Sequence, residues 1–211
     1  MLKTDTLNTD TFTAAGHPGR QAMTTIPKRR YAVFFLLAAG GCAADLLTKS
    51  WIFASLGMPG ERPTFWLLPN IFGFTTSLNE GALFGFGQGQ VKFFSVLSIV
   101  AALGILYWLF FLGAARDALL TFAMGCVMAG ILGNLYDRVG LPGLRWNGAP
   151  IYAVRDWLHF KVNAIGLDWP IFNIADSLLV CGAGLLMWHA WRSESPAMNE
   201  VRQQPDVSDA A

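Results

Sequence analysis

The sequence predicts an all-α polytopic membrane protein. It has four transmembrane helices, with a small β-sheet and an extended outer loop at the extracytoplasmic membrane face. Three observations carry this. Of the 211 residues, 54% are hydrophobic and only 14% are charged, against about 25% charged in an ordinary soluble domain. Four apolar stretches, about 31–53, 91–113, 118–136 and 171–191, each approach the roughly 20 residues that cross about 30 Å of hydrocarbon. Between the first two, Thr64-Phe65-Trp66-Leu67-Leu68 and Ile71-Phe72-Gly73-Phe74-Thr75-Thr76 are aromatic and β-branched, with Pro69-Asn70 between them as a turn; this is strand composition, not helix composition.

Taken in order, residues 1–27 are polar and aperiodic and are expected to form a disordered cytoplasmic tail. Residues 28–192 then form one membrane-embedded domain, and 193–211 a second disordered cytoplasmic tail. Lys28-Arg29-Arg30 abuts the first span and sets its start on the cytoplasmic side. Leu37 to Cys42 loosely resembles a cleavage box, but the apolar run continues past Cys42 and three more spans follow, so a retained span is expected. The 113–117 connection is short enough to force spans two and three into an antiparallel pair. Four spans return both termini to one side, leaving 54–90 and 138–170 outside. The first outer loop carries the expected sheet, with its aromatics at headgroup level. In the second, Leu141-Pro142-Gly143 and Asn147-Gly148-Ala149-Pro150 read as turns, and Tyr152-Ala153-Val154 as a strand delivering Asp156 to the membrane face. The net charge of +1 gives no case for nucleic acid. Cys42, Cys126 and Cys181 lie in apolar runs without metal-ligand spacing and read as buried small hydrophobes.

The chemistry lies in polar residues at the outer ends of the spans. Asp156 and Asp176 stand near hydrocarbon, where a carboxylate costs about 2.5–3.5 kcal/mol on insertion scales, and each is the natural partner of the other. Two carboxylates about 3 Å apart cannot both ionise, so they share a proton, which is the condition of an aspartyl protease dyad. Asp45 and Lys49 lie at i, i+4 and are expected to pair, as a structural ion pair at the outer helix end. Asn134, Asp137 and Arg138 close the third span. The neighbouring guanidinium is expected to keep Asp137 ionised and out of proton exchange. Asn173, three residues before Asp176, is expected on the same helical face, able to orient a neighbour. Asn79 and Gly81 open a glycine-rich stretch that permits close backbone approach. His159 and His189 read as interfacial, since neither a nucleophile elbow nor a two-histidine metal motif accompanies them. An alternative is a four-helix transporter or channel subunit with an Asp/Lys path. That function needs ionisable groups spread through the membrane depth, whereas Asp176 stands only five positions into its span and Lys49, Asp137 and Arg138 gather at the outer end.

Five short blocks resemble bacterial lipoprotein signal peptidase, the type II signal peptidase: Asp45-Leu46-Leu47-Thr48-Lys49; Asn79-Glu80-Gly81-Ala82-Leu83-Phe84-Gly85; Gly133-Asn134-Leu135-Tyr136-Asp137-Arg138; Val154-Arg155-Asp156-Trp157; and Phe172-Asn173-Ile174-Ala175-Asp176-Ser177. The resemblance implies an integral-membrane aspartyl endopeptidase that removes signal peptides from lipid-modified prolipoproteins, at the bond preceding the diacylglyceryl-cysteine. It implies Asp156 and Asp176 as the catalytic pair. Asn79, Gly81, Asn134, Arg138 and Asn173 then bind or position the substrate, and Asp45, Lys49 and Asp137 support them. The implied partners are diacylglyceryl-prolipoproteins and membrane lipid, with the enzyme monomeric, at the bacterial inner membrane and needing no cofactor. Two departures stand out: 146–150 reads as an insertion, and Trp157 stands where the family more often has Phe.

Overall fold

The structure, a computed structural model, describes residues 25–81 and 86–202, with side chains to 192 in the last helix. The tails read from the sequence therefore lie largely outside the described residues, at 1–24 and 203–211. Four helices are long and apolar enough to cross a membrane: Lys28–Leu56, Val91–Phe111, Ala118–Arg138 and Ile174–Arg192. They are α1 (Lys28–Leu56), α2 (Val91–Leu106, continued by a π turn over Tyr107–Phe111), α3 (Ala118–Arg138) and α4 (Ile174–Arg202). The fourth helix thus runs on past 192, into the stretch read as tail. Asp117 caps α3, its carboxylate accepting from the Leu120 N–H at 2.8 Å. Between α2 and α3 the chain reverses through Gly113, at φ 81°, and one 3-10 turn, Ala114–Arg116.

Helix α3 is the axis of the bundle, and its sequence explains why. Its packed face includes the small residues Ala123, Gly125, Ala129, Gly130 and Gly133, which let neighbouring backbones come close. A Cβ at Gly130 would stand 2.5 Å from the Ala175 carbonyl oxygen, and one at Gly133 would stand 2.5 Å from Asp45 Oδ2. Glycine at these two positions brings α4 and α1 close to the C-terminal end of α3. By contrast α2 buries no residue, and Leu36, Leu47, Val96, Leu103, Phe111 and Met187 all point outward from the bundle. Such a belt of exposed apolar side chains is compatible with lipid, not with water. Cys126 is buried and Cys42 half-buried, but Cys181 stands on the exposed face of α4, against the expectation that all three are buried.

One end of the bundle carries an antiparallel sheet ordered β1-β2-β5-β6, formed by β1 (Phe65–Leu68), β2 (Phe72–Asn79), β5 (Val154–Val162) and β6 (Leu167–Asp168). Opposed pairs include Ser77 with Asp156, Leu78 with Arg155 and Asn79 with Val154, with a bulge between Phe74 and Ser77. Phe72 and Phe160 stack across the two central strands at 4.5 Å. Between β3 (Arg145–Trp146) and β4 (Ala149–Pro150) an exposed hairpin fills the stretch read as an insertion. Its turn residues Asn147 and Gly148 have φ of 50° and 80°, the mirror-image turn that suits strand twist.

Two further boundaries differ from the sequence expectation. Asp156 lies on the nine-residue strand β5 itself, not beyond a short strand leading to it. And α4 begins at Ile174, not near 171. Phe172 exchanges backbone hydrogen bonds with Leu158, at 2.7 and 3.1 Å, which holds 171–173 extended. Asn173 is therefore ahead of the helix instead of on its face, and Asp176 is its third residue.

Candidate active site

Alternation along β5 decides which residues meet. Successive side chains of a strand point to opposite faces, so Arg155 and Asp156, both buried, serve different neighbours. Asp156 turns towards the start of α4, where Asn173 Nδ2 donates to its Oδ1 at 2.6 Å. Asp176 and Asn173 form a reciprocal capping pair: the Asp176 N–H donates to Asn173 Oδ1 at 2.9 Å, and the Asn173 N–H donates to Asp176 Oδ2 at 3.2 Å. From α3, Asn134 Nδ2 donates to Asp176 Oδ1 at 2.8 Å, while its Oδ1 accepts from Asn173 Nδ2 at 3.2 Å. Two amides thus bridge the two carboxyl groups. Burial, and then the charge of Asp176, pushes the Asp156 carboxyl up to about 8; the hydrogen bonds from Asn173 and Asn79 and the charge of Lys49 oppose this.

A second tier of fully buried charge stands behind the amides. Lys49 Nζ lies 2.7 Å from Asp45 Oδ2 and 3.1 Å from Asp137 Oδ2, and donates to Asn134 Oδ1 at 3.0 Å. Asp45 Oδ1 accepts from the Ala175 N–H at 2.9 Å and so caps α4 from outside. The expected Asp45–Lys49 pair is present, but it is joined through Asn134 to Asp176 instead of standing apart.

The cation beside Asp137 is not Arg138. Neighbours on a helix point about 100° apart, and Arg138 turns away: its Nη2 donates to the Gly81 carbonyl at 2.9 Å and its guanidinium lies 5.7 Å from the centre of the Phe94 ring. Asp137 is paired with Arg155, whose Nε and Nη2 donate to Oδ1 at 3.0 and 2.9 Å and whose backbone N–H donates to Oδ2 at 3.0 Å. Arg155 was missed in the sequence. The available signal was an arginine beside an aspartate in an apolar strand, which alternation sends to the opposite, equally buried face.

Asn79 Oδ1 accepts from the Gly81 N–H at 2.9 Å and from Gln88 Nε2 at 3.0 Å, folding the chain after β2 back towards Arg138. The ten residues singled out in the sequence thus lie at one end of the bundle. His159 and His189 do not join them; they pair with Asp168 and Asp117, at 2.8 and 2.9 Å. Two openings reach the cluster. An apolar one of about 510 Å³ is walled by Phe160, Leu167, Trp169, Phe172 and Val180 and touches Asp176. A polar one of about 1080 Å³ is walled by Glu80, Gln90, Lys92, Arg138 and Tyr152.

Residues 37–192 match the family model described as signal peptidase (SPase) II. The chain belongs to the signal peptidase II family. Among its relatives is a lipoprotein signal peptidase of Rhodopirellula baltica, 44% identical over 191 residues, covering 86% of this chain and 83% of the relative. Another, from Thermosynechococcus vestitus, is 32% identical and covers 78% of this chain and 94% of the relative. A bacterial membrane enzyme solved by the in meso method superposes with a TM-score of 0.65 at 26% identity, covering 83% of this chain and 93% of that one. Together with the four apolar helices, this makes the signal peptidase II chain a multi-pass bacterial membrane protein. Grouping of Asp45, Lys49, Asp137, Arg138, Asp156 and Asp176 at one end of the bundle disfavours the transporter or channel reading.

Proposed function

We propose that this signal peptidase II, which removes signal peptides from prolipoproteins, is an aspartyl endopeptidase with Asp156 and Asp176 as its catalytic pair. One observation carries the reading: two buried carboxyl groups from different elements are bridged by Asn173 and Asn134, and Asp156 has its carboxyl pushed up to about 8. At neutral pH the pair then retains one proton. The ionised member takes a proton from water as that water attacks the scissile carbonyl, and the protonated member donates to the carbonyl oxygen. The protons belong to the pair, so neither aspartate has a fixed role. Asn79, Gly81, Asn134, Arg138 and Asn173 position the substrate and the carboxyls; Asp45, Lys49 and Asp137 support them.

Residues 28–192 form the peptidase domain. Lys28-Arg29-Arg30 at the start of α1 supports cytoplasmic termini and an outward-facing site. The substrate bond precedes a diacylglyceryl-cysteine. That lipid holds the bond at the depth of the dyad, since each buried CH₂ contributes about 0.8 kcal/mol to anchoring.

The test is cleavage of a purified diacylglyceryl-prolipoprotein by Asp156→Asn and by Asp176→Asn. Each is expected to lose turnover by at least roughly 10²–10⁴-fold while remaining folded in detergent. Near-normal turnover by either variant removes that aspartate from the pair.

A further inference from the structure

Arg155 has no part in the reading above, yet it is built into the tier behind the pair. Its side chain is 5% exposed. Strand β5 presents Asp156 to one face and, one residue earlier, a guanidinium to the other. That guanidinium donates twice to Asp137 and once to Ser50 Oγ at 3.3 Å, and stands 6.0 Å from the centre of the Phe53 ring.

The donor and acceptor inventory shows what it does. A lysine ammonium has three N–H donors, and Lys49 has three acceptors, on Asp45, Asp137 and Asn134. A carboxylate accepts about four hydrogen bonds. Asp137 receives four donors, three from Arg155 and one from Lys49. Two buried anions, Asp45 and Asp137, are thus balanced by two buried cations, Lys49 and Arg155. Without the guanidinium, Lys49 alone would face both carboxylates and be drawn away from Asn134. Asn134 Oδ1 would then be held only by the longer 3.2 Å bond from Asn173 Nδ2, and its donation to Asp176 would be less firmly fixed. One uncompensated negative charge would also stand behind the pair.

We infer that Arg155 is a positioning residue of the dyad: it neutralises Asp137 so that Lys49 stays directed at Asn134 and the charge behind the two aspartates sums to zero. The inference rests on the aspartyl reading. The charged groups around Asp156 are Asp45 and Lys49 from α1, Asp137 and Arg138 from α3, Arg155 from its own strand and Asp176 from α4. Arg155 does not touch the substrate, so its loss acts on kcat and on the pH profile, not on KM.

The experiment measures kcat, KM and the pH profile, from pH 5 to 9, of the purified full-length enzyme on a lipidated prolipoprotein. Arg155→Met should lower kcat roughly ten- to a hundredfold with KM unchanged, and move the profile about one pH unit upward, because surplus negative charge holds protons on the pair. Asp137→Asn leaves a surplus positive charge and should move the profile the other way. The double variant Asp137→Asn/Arg155→Met restores neutrality and should bring the profile back, and Arg155→Lys should leave it where it is. If the profiles of Arg155→Met and Asp137→Asn do not move, and activity falls only with the folded fraction, Arg155 is a structural anchor and the inference is overturned. Should Arg155→Met fail to fold, Asp137→Asn and the double variant decide by the same criterion. Asp156→Asn, assayed alongside, separates this failure from failure of the aspartyl reading, which alone would leave that variant active.

Discussion

Strand β5 carries an ionic cluster at each end, and the bond lengths hardly differ. At its start, Arg155 meets Asp137 at 2.9 Å, and Lys49 meets Asp45 at 2.7 Å. Near its end, His159 meets Asp168 at 2.8 Å and Lys161 meets it at 3.1 Å. The solvent differs. The Asp45, Lys49 and Asp137 side chains are 0% exposed, while that of Asp168 is 56% exposed. Water screens the outer cluster and would hydrate either partner left alone. The inner one has no such recourse: a charge stripped of its partner there stays buried and uncompensated. Distance therefore does not rank these pairs; what happens to the survivor does. The inner cluster can hold Asn134 and the start of α4 in place because its members have nowhere else to go.

Breaking the inner cluster should have the largest effect. Lys49→Met leaves Asp45 and Asp137 facing each other with one cation, and should cost about 3–5 kcal/mol, read as a lower midpoint of thermal unfolding in detergent. An unchanged midpoint would mean that water reaches the inner end, and the contrast would collapse.

Asp156 sharpens the comparison in the opposite sense, since it stands in the same dry end without a cation of its own. Its carboxyl is raised by burial, and then by Asp176, from an ordinary 3.8 to about 8. The folded state therefore holds the proton more tightly than the unfolded state. The stabilising contribution is full below 3.8 and is lost as pH rises towards 8. Asp156→Asn does not titrate, so this variant should be inactive yet unfold at a higher temperature than the parent at pH 8, with the advantage shrinking towards pH 5. A constant difference between the two pH values would show that Asp156 is ionised throughout.

The smallest effect belongs to the outer cluster. Asp168→Asn should leave turnover and the unfolding midpoint unchanged within error at pH 7. Hydrogen bonds from His159 and Lys161 hold the Asp168 carboxyl below its ordinary 3.8. What the ionised carboxylate contributes is therefore present above 3.8 and lost only as pH falls further, so acid titration is where a difference would first show. A marked loss at neutral pH would place the sheet edge among the working parts.

Much of this was legible before any coordinates. The four spans followed from apolar runs of membrane length, because lipid tolerates only segments that satisfy their own backbone hydrogen bonds. The two aspartates could be singled out because a carboxylate beside hydrocarbon is too costly to keep without a use. Two of the sheet's four strands were legible in Thr64 to Thr76, where β-branched and aromatic residues outnumber helix formers. Those are local or one-dimensional constraints, and a single chain displays them. What only the tertiary structure decided is partnership. The guanidinium beside Asp137 is Arg155 and not its sequence neighbour Arg138, because a helix sends adjacent side chains about 100° apart while β5 passes close enough to donate three times. Asn173 caps α4 instead of lying on it, because Phe172 is held by Leu158 on β5. Asp45 reaches the Ala175 N–H across 130 residues of sequence, next to a glycine on α3 where any side chain would collide with it. Composition and spacing determined which residues must be used; the path of the backbone through three helices and a strand determined which of them meet.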